Sequence, residues 1–285
     1  MTTAREGSGG KAFAFGLSLA FLLSGFLLAI LSYGIVARVL FQGDAPGLIA
    51  ATTLQSVCVI ASFGLMTWLI GMRAAGLDAE ALRWKPGGGR GMGVGALLGG
   101  AAALAVLALA VPLGHAGWGP DGEPATAWLS NLIPLLGVLL PAALAEELVF
   151  RGVPMVLLSR AFGRAVAIVG LATVFGMAHL LNPGITGLGA GNIALAGVFL
   201  GVVFYLPGGL WTATGVHLGW NATLAAFAAP VSGLPLPVPG LDYTTGGPTW
   251  LTGGSFGPEG GVLATIVLGV STLLVARYIG KEMQA

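Results

Sequence analysis

The sequence predicts an all-α, polytopic membrane protein, a single integral membrane domain over residues 1–285 built as a bundle of about eight transmembrane helices. Composition is the first reason. Of 285 residues, 56% are hydrophobic and 8% are charged, against about 25% charged in a soluble domain. Mean hydropathy is +0.92, so the chain lacks the polar surface to cover itself in water. The second reason is the spacing of apolar runs near the ~20 residues that a bilayer demands. The third is the placement of the basic residues.

The runs fall at 12–37, 48–72, 92–113, 129–160, 164–182, 191–206, 210–229 and 261–279. The first is too long for a signal-peptide core and carries no obvious cleavage site, so it reads as a retained helix. Glycine-rich and proline-rich stretches such as 85–91 and 234–240 separate the runs. The longest loop, about 230–260, holds only the charges Asp242 and Glu259. The 49 glycines are far above the usual ~7%. Four-residue spacing in Gly91, Gly95 and Gly99, and in Gly197 and Gly201, predicts close helix contacts. Cys58 stands alone, which excludes an internal disulfide, and reads as packing.

With both termini cytoplasmic, the inner segments hold Arg5, Lys11, Arg73, Arg83, Lys85, Arg90, Arg151, Arg160, Arg164, Arg277 and Lys281. Only Arg38 lies toward the other side, as the positive-inside rule predicts. Trp118, Trp128 and Trp250 fall beside outer boundaries, and Trp68 and Trp211 beside inner ones. The expected location is the plasma membrane of a prokaryote, since the high-glycine, low-lysine composition suggests a GC-rich genome. Net charge is +1 and no basic cluster points to nucleic acid.

Within this apolar chain, "AEELVFRG" puts Glu146, Glu147 and Arg151 inside a span. A charge at the bilayer centre costs roughly 2.5–3.5 kcal/mol or more. The other nine acidic residues fall in loops, termini or span ends. His115 lies in an outer loop, while His179 and His217 lie inside spans. Glu147 and Arg151 are four apart and share a helix face, which suits an ion pair. Glu146 is turned about 100° away and stays available for chemistry. Phe175 shares a face with His179, and His217 with Asn221. A turn at Phe162-Gly163 puts Glu146 and His179 at one level, each ~25 Å along its helix at 1.5 Å per residue. His217 rises roughly 13 Å from the turn at 206–210. The levels agree if the arm 151–163 projects into the cytoplasm, so Glu146, His179 and His217 can converge on one cavity.

Blander readings exist for each residue alone. A Glu–Arg pair is often structural, a lone histidine is often a satisfied core residue, and Asn182 reads as a residue that ends its helix before Pro183. Four polar groups at matched depth are harder to assign to packing.

The strings "EELVFR", "FGMAH" and "HLGWN" match the patterns EExxxR, FxxxH and HxxxN. In order and placement they resemble the CAAX-protease and bacteriocin-processing (CPBP, or ABI) intramembrane proteases, over about 135–225. The resemblance implies an endopeptidase with a catalytic core at about 129–229, the fourth to seventh spans, acting on a peptide or membrane-anchored protein. Glu146 would be the general base, His179 would hold the water, and His217 and Asn221 would face the oxyanion. Glu147, Arg151 and Phe175 would support the site. No cofactor is expected, although zinc on Glu146, His179 and His217 is a possible alternative. A transporter, or a non-catalytic membrane binding or immunity protein, is the rival reading. The absence of an internal repeat and the clustering of charges in one half of the chain speak against transport.

Overall fold

The computed structural model describes residues 8–84, 88–113, 116–236 and 238–282. Arg5, Lys85 and His115 lie outside the described residues. Each of the eight apolar runs coincides with helix, and the fold is that of an all-α, polytopic membrane protein. The helices are α1 (Ser8–Phe41), α2 (Leu48–Met66), α3 (Gly88–Ala110), α4 (Ala125–Arg151) and α5 (Val153–Phe162). They continue as α6 (Arg164–Ala178), α7 (Gly187–Val203), α8 (Leu210–Ala226), a single turn α9 (Thr249–Thr252) and α10 (Val262–Glu282). Two four-residue strands, β1 (Ala116–Gly119) and β2 (Asp242–Thr245), pair antiparallel with Trp118 opposite Tyr243.

Five stretches among the described residues are long and apolar enough to cross a bilayer: Gly9–Phe41, Leu48–Ala74, Gly88–Ala110, Thr126–Phe162 and Val262–Lys281. The helices α6, α7 and α8 have 15, 17 and 17 residues. They are shorter than the ~20 residues of a full span, so eight complete crossings do not follow from helix length. The run expected at 164–182 stops being helical at Ala178. Pro183 has no N–H to bond the carbonyl of His179, and its ring disfavours helical backbone before it. His179 and Asn182 therefore stand in a turn beyond the helix.

The chain forms two compact units. The first comprises residues up to Pro86 together with Val138–Ile168. In it α2 packs along α1 and runs on as a π-helical stretch, Thr67–Ala74. Phe63 fills the space beside Gly25 and meets the rings of Phe21 and Phe26 edge-on, at 5.2 and 5.1 Å. The expected single helix over 129–160 is broken at Gly152, whose ψ is −131°. Pro154 cannot donate to the carbonyl of Phe150. A Cβ on Gly152 would run into the carbonyl of Leu148, so only glycine fits the break. Val153 to Leu157 are buried, and α5 packs against α1.

The second unit comprises Gly87–Gly137 and Val169–Ala285. Its organising contact is α3 against α8. A Cβ on Gly95 would collide with the carbonyl oxygen of Thr212, and one on Gly99 with that of Val216. In return, a Cβ on Gly215 or Gly219 would collide with the carbonyls of Met92 and Ala96. The two backbones touch, as the glycine spacing in α3 anticipates. Gly197 similarly bears on Ala172 of α6, with Cα 3.0 Å from where its Cβ would be. With the small-residue face of α8 spent on α3, its opposite face, carrying His217, Trp220 and Asn221, is left for other contacts. Gly95→Val should lower stability by about 1–3 kcal/mol, the usual cost of overpacking. Gly93→Val, where a Cβ would meet nothing within 4 Å, should be neutral. Thermal unfolding of both variants in detergent checks this, and equal midpoints would refute the seam.

At the other end of α8, Trp118 and Trp128 donate their indole N–H groups to the carbonyls of Phe227 and Ala226, each at 2.8 Å. These carbonyls are ones the helix end leaves without an intrahelical donor. The two tryptophans expected as interfacial belt residues thus also cap the helix.

Candidate active site

Helix α6 ends with carbonyls lacking helical donors, and His179 supplies one from its side chain. Its Nδ1 lies 2.8 Å from the carbonyl oxygen of Phe175, one turn back. A carbonyl can only accept, so Nδ1 carries the proton and Nε2 is the nitrogen turned to other partners. The FxxxH spacing thereby fixes tautomer and ring orientation together. The Phe175 ring adds to this: its centroid lies 4.6 Å from that of His179 and 6.2 Å from that of His217, meeting the latter edge-on. His217 comes from the middle of α8, and Asn221 follows one turn later.

Phe175, His179, His217 and Asn221 line one cavity of about 40 Å³, walled by Ile193, Phe199 and Leu200 of α7 and Leu268 of α10. A site of that size admits a few waters at most, since about 10–15 Å³ on this measure holds one. Four of the residues singled out in the sequence are therefore brought together within the second unit. Glu146, Glu147 and Arg151 belong to the first unit. Arg151 Nη1 lies 3.1 Å from Glu147 Oε1, with both side chains almost fully buried, at 1% and 0% exposure. The ion pair suggested by the four-residue spacing forms. Glu146, on another face of α4, is half-buried.

One residue of the cavity escaped the sequence reading. Glu259, expected in the long loop 230–260, is 5% exposed and lines the same cavity. It sits in a short 3₁₀ turn, Pro258–Gly260, ahead of α10. Its Oε1 accepts from Trp220 Nε1 at 3.0 Å. Its Oε2 accepts from the Ser232 amide, and from the Ser232 hydroxyl at 3.2 Å. Burial raises its carboxyl above the usual range, while the Ser232 amide, Trp220 and the Ser232 hydroxyl pull the other way. The available signal was isolation: Glu259 is the sole charge between Asp242 and Arg277, in the glycine-dense string "GGSFGPEGG". Asn182 also has a role other than ending its helix, since its amide donates to the carbonyl of Ser232 at 2.9 Å.

Among the described residues no three His, Cys, Asp or Glu side chains gather as a metal-ligand group. Within the cavity the ligating atoms are imidazole nitrogens and Glu259, whose two oxygens already accept hydrogen bonds from Trp220 and Ser232.

Residues 127–223 match the family of type II CAAX prenyl endopeptidase Rce1-like proteins. This segment is a CAAX-protease-family domain. It spans all three motifs, from Glu146 through His179 to Asn221. No curated protein and no solved structure matches the chain. The CAAX-protease domain begins near the start of α4 and ends within α8, so Glu259 lies outside it.

Proposed function

We propose that the protein hydrolyses a peptide bond of a membrane-associated peptide or protein, using water activated by Glu146. What supports this reading is the gathering of His179, His217 and Asn221, all three within the matched segment, on one small cavity. Glu146 takes a proton from water as the oxygen attacks the scissile carbonyl carbon. His179, its Nδ1–H held by Phe175, presents Nε2 to the water. The carbonyl oxygen becomes an oxyanion and accepts hydrogen bonds from His217 and the Asn221 amide. Glu146 then returns the proton to the leaving nitrogen as the C–N bond breaks. Glu147 and Arg151 neutralise one another and hold α4. The matched family is described by prenylated CAAX substrates; for this chain the proposed class is a peptide or protein held at the membrane.

The reaction so written uses no metal. An amide is a poor zinc ligand, and Asn221 one turn from His217 suits a donor pair for an oxyanion. Purified protein in detergent, presented with a quenched fluorescent peptide library, should cleave a subset of peptides. It should keep most of that activity after exhaustive chelation and contain well under about one zinc per chain, the minimum for a catalytic site. Stoichiometric zinc, with activity lost on removal and regained on return, would move His179 and His217 from water and oxyanion partners to ligands. Failure to cleave any peptide would remove the enzymatic reading itself.

A further inference from the structure

We propose that Glu259 is a positioning residue of the active site: its buried carboxylate ties the helix carrying His217 and Asn221 to the turn that follows His179. The inference rests on the peptidase reading above. On one side, Oε1 holds Trp220, the residue beside Asn221 in α8. On the other, Oε2 holds the amide and hydroxyl of Ser232. The carbonyl of Ser232 in turn accepts from Asn182, three residues after His179. The backbone of Glu259 is itself clamped. Asn192 of α7 donates to the carbonyls of Glu259 and Gly261, both at 2.8 Å. Thr265 of α10 donates to the Asn192 side-chain oxygen at 2.6 Å. One carboxylate thus joins α8, the 230–234 turn and the end of α6, with α7 and α10 holding it from behind.

A carboxylate suits this post and its amide does not. Two N–H donors, Trp220 Nε1 and the Ser232 amide, approach different oxygens. Glutamine has the same shape but one acceptor atom, so its NH₂ would face an N–H whichever way it turned. Bonds to a charged acceptor are also shorter and roughly twice as strong as neutral ones. Without the anchor, α8 can rotate slightly and the turn after α6 can shift. Misplacement of reacting groups by about 1 Å costs about a hundredfold in rate.

The test compares full-length wild type, E259Q and S232A in detergent. E259Q should lower kcat about a hundredfold, with KM changed by less than about threefold, because ground-state binding is untouched. S232A, which removes one donor of three, should lower kcat roughly threefold to tenfold, the worth of one hydrogen bond. E259Q retaining more than half of wild-type kcat would overturn the proposal. So would a loss carried mainly by KM, which would make Glu259 a substrate-binding group. If E259Q does not fold, S232A decides, and unchanged kcat there overturns it. A readout without substrate separates the anchor from the peptidase reading: the indole N–H resonance of Trp220, identified among the seven tryptophans with W220F. E259Q should move that resonance and leave the other indoles in place; an unmoved Trp220 signal overturns the anchor. A wild type that cleaves nothing sinks the peptidase reading, and the Trp220 signal then decides the anchor alone.

Discussion

Glu146→Ala is expected to abolish peptide hydrolysis while the protein still folds. A positioned general base contributes typically 10²–10⁴-fold, and the buried carboxylates of Glu147 and Glu259 are each engaged by other side chains. Glu147, its neighbour, is committed to Arg151 at 3.1 Å and is fully buried. Glu146 is half-buried on a different face of α4, so removing it leaves that ion pair in place. Glu146→Gln should behave alike, because the amide keeps the shape and cannot take a proton. The measurement is kcat on a cleavable peptide beside the thermal midpoint in detergent. Activity falling to below about one per cent, with the midpoint unchanged, is the signature of a lost transition-state function. Retention of more than that would transfer the role of base to another group.

Much of this site was legible from spacing alone. Four-residue intervals put Phe175 over His179 and Glu147 beside Arg151, because helix geometry fixes which side chains share a face. The glycine ladder of α3 was legible for the same reason, since only small residues let α8 come so close. What hydropathy missed was where backbone hydrogen bonding stops. His179-Leu180-Leu181 continues the apolar run of α6, yet the helix has ended and Leu181 is 96% exposed. Apolarity measures the tolerance of a segment for lipid, whereas Pro183 determines what its backbone can do. Glu259 was missed by a related route. The sequence places it only as one of two charges in a long loop, and nothing local in "GPEGG" reports that Trp220 and Ser232, 39 and 27 residues upstream, supply its donors. Burial of a polar group depends on partners distant in sequence, and spacing rules do not reach them.

Arg151→Ala is expected to damage folding far more than Glu146→Ala does. Arg151 is 1% exposed and its partner Glu147 0%. Removing one member of a buried pair leaves the other charge in a low-dielectric interior without that counter-charge, a loss of roughly 3–5 kcal/mol. Truncation to alanine also empties the volume of a large buried side chain, which adds a cavity term in the same direction. The thermal midpoint should fall on the order of 10 °C for a chain of this size, with reduced yield from membranes. The double variant Glu147→Leu/Arg151→Met removes both charges and refills the space with apolar groups. It should recover much of the loss, since replacing a whole buried pair by apolar groups of like volume is often close to neutral. Measuring Glu147→Leu and Arg151→Met singly beside the double variant isolates the coupling between Glu147 and Arg151 from the cost of the cavity. Whatever Arg151→Ala protein folds should retain measurable hydrolysis per molecule, because the guanidinium touches neither water nor substrate in the proposed reaction. Arg151→Ala at normal yield and unchanged midpoint, with hydrolysis lost, would reverse the division of labour: Arg151 would join the chemistry, and the Glu147–Arg151 pair would belong to the active site.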